Sequence, residues 1–361
     1  MTTLNHKLRS ANIRLRPGHM HFGPEWLILG VNNICNLHCK MCDVGADFNE
    51  SNFFQNLVGT HPLNMPMDLF RTVADQAAQH FPKTKLGYAF TEPLIYKHLI
   101  ETLEYAQERS LFTAVTTNGL TLARHANALV DAGLNELYIS LDGPEEIHNA
   151  IRGHRNSYGR AMEGVECLLT KNGAPEISIY CVITEWNIGH LRRFLDGLKQ
   201  YPLVRVGFMH TVFTPQDQAD RHNAVYGQTY PATASNMEEI DLSAMDLDLL
   251  WEEIETIRKT AYGFPIVFSP EMDTRADLDR FYYEPDTLWG KRCNDAFRAM
   301  MIKSDGSVIP AHGRCYNLSV GNLHDNSLPE IWNSDVFGKF RRDLMHAGGL
   351  MPACARCCSA F

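Results

Sequence analysis

Cysteines are the residues of this sequence best suited to do chemistry, and eight of the ten fall into two groups. Cys35, Cys39 and Cys42 place three thiols on one short segment, while Cys293, Cys315, Cys354, Cys357 and Cys358 lie towards the other end. Soft thiolates select zinc, copper(I) or iron–sulfur clusters. Three thiolates are one fewer than the four that close a structural zinc site or a four-cysteine cluster. The first group therefore predicts a cluster with one iron open to a further ligand, and a zinc site completed by His38 or a distant residue is the alternative. Cys293-x21-Cys315 and Cys354-x2-Cys357 supply a full set for one closed cluster, with a four-cysteine zinc knuckle as the alternative. Cys358, directly after a proposed ligand, is a spare thiol, a substitute ligand or a hydrogen-atom donor. Cys167 and Cys181 fall in a helix-period stretch and a strand, where inert buried thiols are the common case.

The rest of the composition narrows what these thiols can serve. No apolar segment of secretory type opens the chain, and no run approaches the roughly 18 apolar residues of a membrane span. The reading is a cytoplasmic protein without membrane contact, whose thiols stay out of disulfides. The 33 Lys plus Arg against 42 Asp plus Glu give a net charge of -9. Without a basic stripe this argues against nucleic acid and leaves a small-molecule substrate. With 361 residues, 45% hydrophobic and 21% charged, the chain is globular and long enough for one large barrel or two domains.

Apolar runs of strand length begin at Trp26, Lys85, Leu111, Glu136, Glu176 and Leu203. They alternate with amphipathic stretches from Asp68, Lys97, Leu122 and Gly189, which predicts β-α repeats and a parallel sheet. Ligands of such sheets collect at the C-terminal ends of the strands. That rule selects Cys35 to Cys42, Phe90-Thr91-Glu92, Thr117-Asn118-Gly119, Asp142-Gly143, Asn187 and His210. The organisation expected is an N-terminal extension (1–23), a core barrel (24–213), a linker with a bridging helix (214–292) and a cysteine-rich segment (293–361). The last holds a hairpin with Asp305-Gly306 at its turn, one amphipathic helix and the cysteine tail. It is too small for much core of its own, so a bound metal adds most stability there.

Cys35-x3-Cys39-x2-Cys42 just after the first strand resembles the signature of the radical SAM superfamily, and LYISLDGPEEIHNAIRG is similar to that family as well. The resemblance covers about residues 26 to 213 and implies an α/β fold, a partial (β/α)6 barrel. It implies a 4Fe-4S cluster on Cys35, Cys39 and Cys42 that chelates S-adenosylmethionine (SAM) and cleaves it reductively to a 5'-deoxyadenosyl radical. Glu92 would contact the amino group of SAM, although Phe90 and Thr91 stand where the family has glycines. Asn118 and Asn187 would be further cofactor contacts, Ser140 and Asp142 would meet the ribose or methionine part, and Arg152 its carboxylate. The backbones of Met41 and Met209 would border adenine. His210 is a candidate for a substrate role. GSVIPAHGRCYNLSVGNLHDNSLPEIWNS resembles SPASM and twitch domains, which implies an auxiliary 4Fe-4S cluster on Cys293, Cys315, Cys354 and Cys357. Ala311 replaces one hairpin cysteine and the later ligands do not follow, so one auxiliary cluster is expected rather than two.

These readings favour an enzyme over a zinc-stabilised binding protein, and deoxyadenosine release separates the two. Only 34 residues precede Cys35, too few for a fused leader-peptide recognition domain. A single auxiliary cluster resembles the twitch-type enzymes that oxidise aminocyclitol alcohols, which implies a small carbohydrate-like or cyclitol-like substrate, oxidised or epimerised, with flavodoxin or ferredoxin as reductant. A SPASM-type peptide or protein maturase is the second reading, and Cys358 becomes catalytic if the outcome is epimerisation. Anaerobic reconstitution should give about eight irons per chain. Changing Cys35, Cys39 and Cys42 together to Ala should keep about half of that iron and abolish deoxyadenosine formation, whereas stoichiometric zinc with little iron would contradict the two-cluster reading.

Overall fold

Each of the six apolar runs forms a strand at its expected place: β1 Trp26–Leu29, β2 Lys85–Tyr88, β3 Phe112–Thr117, β4 Glu136–Ser140, β5 Glu176–Ile183 and β6 Arg205–His210. The computed structural model describes residues 2–360, with side chains described from Asn5 onward. The strands pair in sequence order and in parallel. Those in the middle are buried on both faces, as in β3, because helices cover a parallel sheet. The helix Met67–His80 turns Leu69, Phe70, Val73 and Ala77 inwards at helical spacing, and Leu99–Glu108, Leu122–Asp131 and Leu191–Leu198 repeat the pattern.

The sheet continues beyond residue 213. Ile266–Ser269, inside the expected linker, forms β7 and pairs in parallel with β6. Four residues closed in by Pro265 and Pro270 are too short a run to read as a strand from sequence alone. On the opposite edge, β8 Ala299–Ile302 pairs in parallel with β1, and β9 Ser307–Pro310 and β10 Gly321–Asn322 follow antiparallel. Among the described residues the strand order of this sheet is β10-β9-β8-β1-β2-β3-β4-β5-β6-β7. The expected hairpin is present, with Gly306 at φ +79 in its turn, but it extends the barrel sheet.

Two further elements differ from the sequence reading. The stretch expected as one helix is two, Leu328–Trp332 and Asp335–His346. Ser334 Oγ accepts the Phe337 N–H (3.2 Å) and so starts the second helix, while the Asn333 side chain bonds Met20 N and O at 2.8 and 3.1 Å. The N-terminal extension begins with a helix, Thr2–Leu15. Among the described residues, no helix is long and apolar enough to cross a membrane.

One apolar core runs from Ile13 through the sheet to Ala360. Trp332, 1% exposed, ties its parts together: its indole N–H donates to Phe22 O at 2.8 Å, and the Arg341 guanidinium lies 4.2 Å over its ring. Trp332→Ala should cost about 3–5 kcal/mol and lower the urea midpoint of a single cooperative transition. Two separated transitions, with the cysteine-rich segment lost first, would contradict a shared core.

Candidate active site

The loop after β1 carries the first three cysteines to the C-terminal end of the sheet, where they line one cavity of about 350 Å³. That lies within the range of small-molecule sites. Phe90 and Thr91 after β2, Thr117 and Asn118 at the end of β3, Ser140 of β4, Met41 and Arg152 complete the wall. The loop folds back on itself so tightly that a Cβ at Gly45 would stand 2.4 Å from both the N and the O of Cys39. Gly153, at φ +64, packs as closely on the loop: a Cβ there would lie 2.8 Å from His38 O.

Burial pushes all three thiols up, Cys42 to about 12. Such thiols are protonated at neutral pH unless a positive group replaces the protons, which is what a metal centre does. A tetrahedral zinc ion with Zn–S near 2.3 Å holds its sulfurs about 3.8 Å apart. Among the described residues, the one trio of possible ligands with all donor atoms within 4.8 Å of one another is His312, Cys357 and Cys358. Cys35, Cys39 and Cys42 do not form such a trio.

Behind the cavity wall lies a buried polar frame. Arg152 donates from Nε to Asp142 Oδ2 (2.5 Å) and from Nη1 to Cys39 Sγ (3.6 Å), and these partners hold its charge against the cost of burial. Asp142 Oδ1 accepts the Val182 N–H at 3.1 Å. Glu92 is 1% exposed; its carboxylate accepts from Leu94 N (2.9 Å), Thr117 Oγ1 (2.7 Å) and Asn118 N (2.8 Å), and so braces β2 against β3. Burial pushes that carboxyl up and the three donors oppose it. Phe90 and Thr91 adopt φ of +64 and +44, the left-handed region that glycine favours. Thr91 Oγ1 offsets the strain by donating to Asn32 Oδ1 at 2.6 Å, and Asn32 Nδ2 donates to Glu92 O at 2.8 Å.

Cys293, Cys315, Cys354 and Cys357 line a second cavity, together with Arg314, Tyr316 and Phe53. Phe53 lines the first cavity as well. Its ring stands 6.0 Å from Phe90, and Phe90 stands 6.1 Å from His312. The Cys354–Cys357 turn is anchored by Arg356, whose buried guanidinium donates to the carbonyls of Arg280, Phe281, Glu284, Thr287 and Ala355. His312 is the residue the sequence reading missed. Its Nε2 lies 3.4 Å from Cys357 Sγ and 3.6 Å from Cys358 Sγ. The available signal was a histidine three residues before a proposed ligand, Cys315.

The sequence pattern of the radical SAM superfamily matches residues 30–230, more than half of the chain. The chain belongs to the radical SAM superfamily. Residues 293–358 match SPASM, an iron-sulfur cluster-binding domain. A radical SAM protein with this domain carries 4Fe-4S clusters and binds SAM. The Fe-coproporphyrin III synthase of Methanosarcina barkeri is 23% identical over 90% of this chain and 78% of its own. The PqqA peptide cyclase of Bradyrhizobium diazoefficiens is 22% identical over 92% and 78%. Among solved structures, Streptococcus suis SuiB bound to its precursor peptide SuiA superimposes with a TM-score of 0.62 at 17% identity, over 94% of this chain and 71% of that one.

Within the radical SAM fold, the expected cofactor residues divide into two sets. Met41, Asn118, Ser140 and Arg152 line the cysteine cavity. Glu92, Asp142 and Asn187 stand behind the wall. Asn187 is fully buried and gives both N–H bonds to backbone, Asp142 O (2.9 Å) and Val182 O (2.7 Å), while its Oδ1 accepts from Thr184 N. Both of its N–H donors are thus engaged by backbone in this structure. His210 lies away from the cavity as well. It ends β6 with 1% exposure, its Nδ1 on Tyr282 Oη at 2.8 Å and its ring against Phe281; it does not line the cavity, and burial holds its pKa down to about 3. Cys358 lies on the His312 side of the tail and lines neither cavity. Gly45→Ala should lose the first cluster alone: iron falls by about half, to about four per chain, and deoxyadenosine formation stops. Full iron with normal deoxyadenosine would show that the loop tolerates a side chain at this close approach.

Proposed function

We propose that this radical SAM enzyme oxidises its substrate by two electrons in the cavity lined by Cys35, Cys39 and Cys42, one hydrogen atom leaving to the deoxyadenosyl radical, one electron to the auxiliary cluster and one proton to solvent. The observation that carries the proposal is the common wall of the two cysteine cavities: Phe53 borders both, and Phe90 and His312 continue it to the auxiliary cysteines. When bound, SAM and the cluster on Cys35, Cys39 and Cys42 supply a hydrogen-abstracting radical, and a cluster on Cys293, Cys315, Cys354 and Cys357 supplies an electron acceptor.

The chain's own residues hold these parts in place. Arg152, fixed by Asp142 and facing the cavity beside Cys39, offers a cation for the SAM carboxylate. Asn118 Nδ2, 2.7 Å from Asn36 Oδ1 and 4.0 Å from Cys35 Sγ, together with Ser140 and the Met41 segment, shapes the cofactor wall. Glu92 acts through the loop that it braces. Oxidation is favoured over epimerisation because Cys358, the spare thiol, does not reach the cavity from which it would return a hydrogen atom.

For the substrate, a peptide side chain has support from the peptide cyclase relative and from the fold neighbour bound to a precursor peptide. A small carbohydrate-like or cyclitol-like substrate rests on the one-cluster tail alone. The electron donor is a flavodoxin or ferredoxin, and the setting is the cytoplasm. With SAM, a reductant and substrate, product two hydrogens lighter than substrate should accumulate in step with deoxyadenosine, and Cys358→Ala should keep near-normal turnover. A product of unchanged mass carrying solvent deuterium, lost in Cys358→Ala, would replace oxidation by epimerisation.

A further inference from the structure

Two of the four auxiliary cysteines have an aromatic hydrogen-bonding group set against their sulfur. Tyr316 Oη lies 2.9 Å from Cys354 Sγ, and His312 Nε2 lies 3.4 Å from Cys357 Sγ. Both aromatic residues are buried and belong to the short segment that leaves β9. A cysteine that ligates iron is a thiolate and can only accept. In the loaded protein the proton of each contact therefore belongs to the aromatic partner.

Geometry fixes that donor role for His312. Its Nδ1 accepts the backbone N–H of Arg314 at 3.3 Å, so Nδ1 carries the lone pair and Nε2 carries the hydrogen aimed at the sulfur. Tyr316 is held as firmly. Its ring stacks on His222 at 4.9 Å with an interplanar angle of 17°, and Tyr230 and Phe340 pack around it at 5.9 and 6.2 Å. Hydrogen bonds to ligand sulfur withdraw charge and stabilise the more negative, reduced cluster, which raises its reduction potential.

We infer that His312 and Tyr316 are positioning residues that donate hydrogen bonds to the ligand sulfurs of Cys357 and Cys354 and hold the auxiliary cluster at a potential from which it accepts an electron. The inference rests on the assignment of these cysteines to a cluster and deepens the oxidation proposed above, since the acceptor's reduction potential must lie above that of the couple formed by oxidised product and substrate radical.

The test is a redox titration of the reconstituted full-length protein followed by electron paramagnetic resonance. The same titration with Cys35, Cys39 and Cys42 changed to Ala identifies the auxiliary signal. Tyr316→Phe removes only the hydroxyl. It should leave iron content unchanged and shift the auxiliary midpoint to more negative potential by about tenfold in the one-electron equilibrium, about 59 mV. His312→Leu should shift it in the same direction, and His312→Gln, which keeps an N–H donor, should restore most of the parent value. Midpoints equal to the parent in Tyr316→Phe and His312→Leu, or a shift to more positive potential, would overturn the inference. Loss of auxiliary iron in Tyr316→Phe would also overturn it, since the residue would then build the site instead of tuning it. A parent protein with about four irons and no auxiliary signal is a different failure, that of the cluster assignment beneath it.

Discussion

Parallel pairing governs this molecule more than any single contact. In a parallel sheet every strand delivers its C-terminal end to the same edge, so residues far apart in sequence meet without further design. Here the register sets Leu29 beside Tyr88, and Thr117 beside Ile139. The cysteine loop, the Phe90–Thr91 turn, Asn118 and Ser140 thereby become neighbours in one cavity. The same constraint recruits the second cysteine set. Because β8 joins β1 in parallel, the chain leaving its hairpin lies inside the wall, with His312 against Phe90 and Gly313 against Leu57.

The polar frame behind the cavity answers a separate demand. Buried carboxylates and amides must be satisfied or they cost more than they return. Glu92, Asp142 and Asn187 meet that demand by accepting from or donating to strand ends, which converts a solubility problem into stiffness at the strand termini. Arg152 is the member of the frame that reaches the cavity, so its orientation is set by Asp142 before any ligand arrives. The left-handed pair at Phe90 and Thr91 shows the same economy. A turn shape that glycines adopt freely is kept by two bulky residues because Asn32 bonds the loop on one side and Phe53 and His312 pack Phe90 on the other.

Much of this was legible in the sequence, for physical reasons. The six strands announce themselves through apolar runs that alternate with helix-period stretches, the hairpin through Asp305-Gly306, and the first cysteine cluster of the cavity through thiols at a spacing that a disulfide or a core does not need. What escaped has equally physical causes. β7 is four residues between prolines, and its partner is β6, which no local pattern reveals. The break at Asn333–Ser334 depends on a cap and on Met20, more than 300 residues away. Spacing assigns Glu92, Asp142, Asn187 and His210 to strand ends, but not to the inner or outer face of the turn, and each of them points behind the wall. His312 carried no motif, since its partners Cys357 and Cys358 lie more than 40 residues further on.

The pairing of β1 with β8 also orders events at the ribosome. β1 is complete after residue 29, yet the strand that covers its outer edge does not exist until residue 302 has been made. Until then the growing chain presents a short apolar strand with unpaired N–H and C=O groups, the kind of edge that recruits foreign strands. Its length limits the hazard: Trp26 to Leu29 offers few bonds to an intruder. Hairpin closure and seating of the auxiliary cysteines are thus steps of one late event, and delivery of iron and sulfur to the second site must wait until Cys354 and Cys357 have been made.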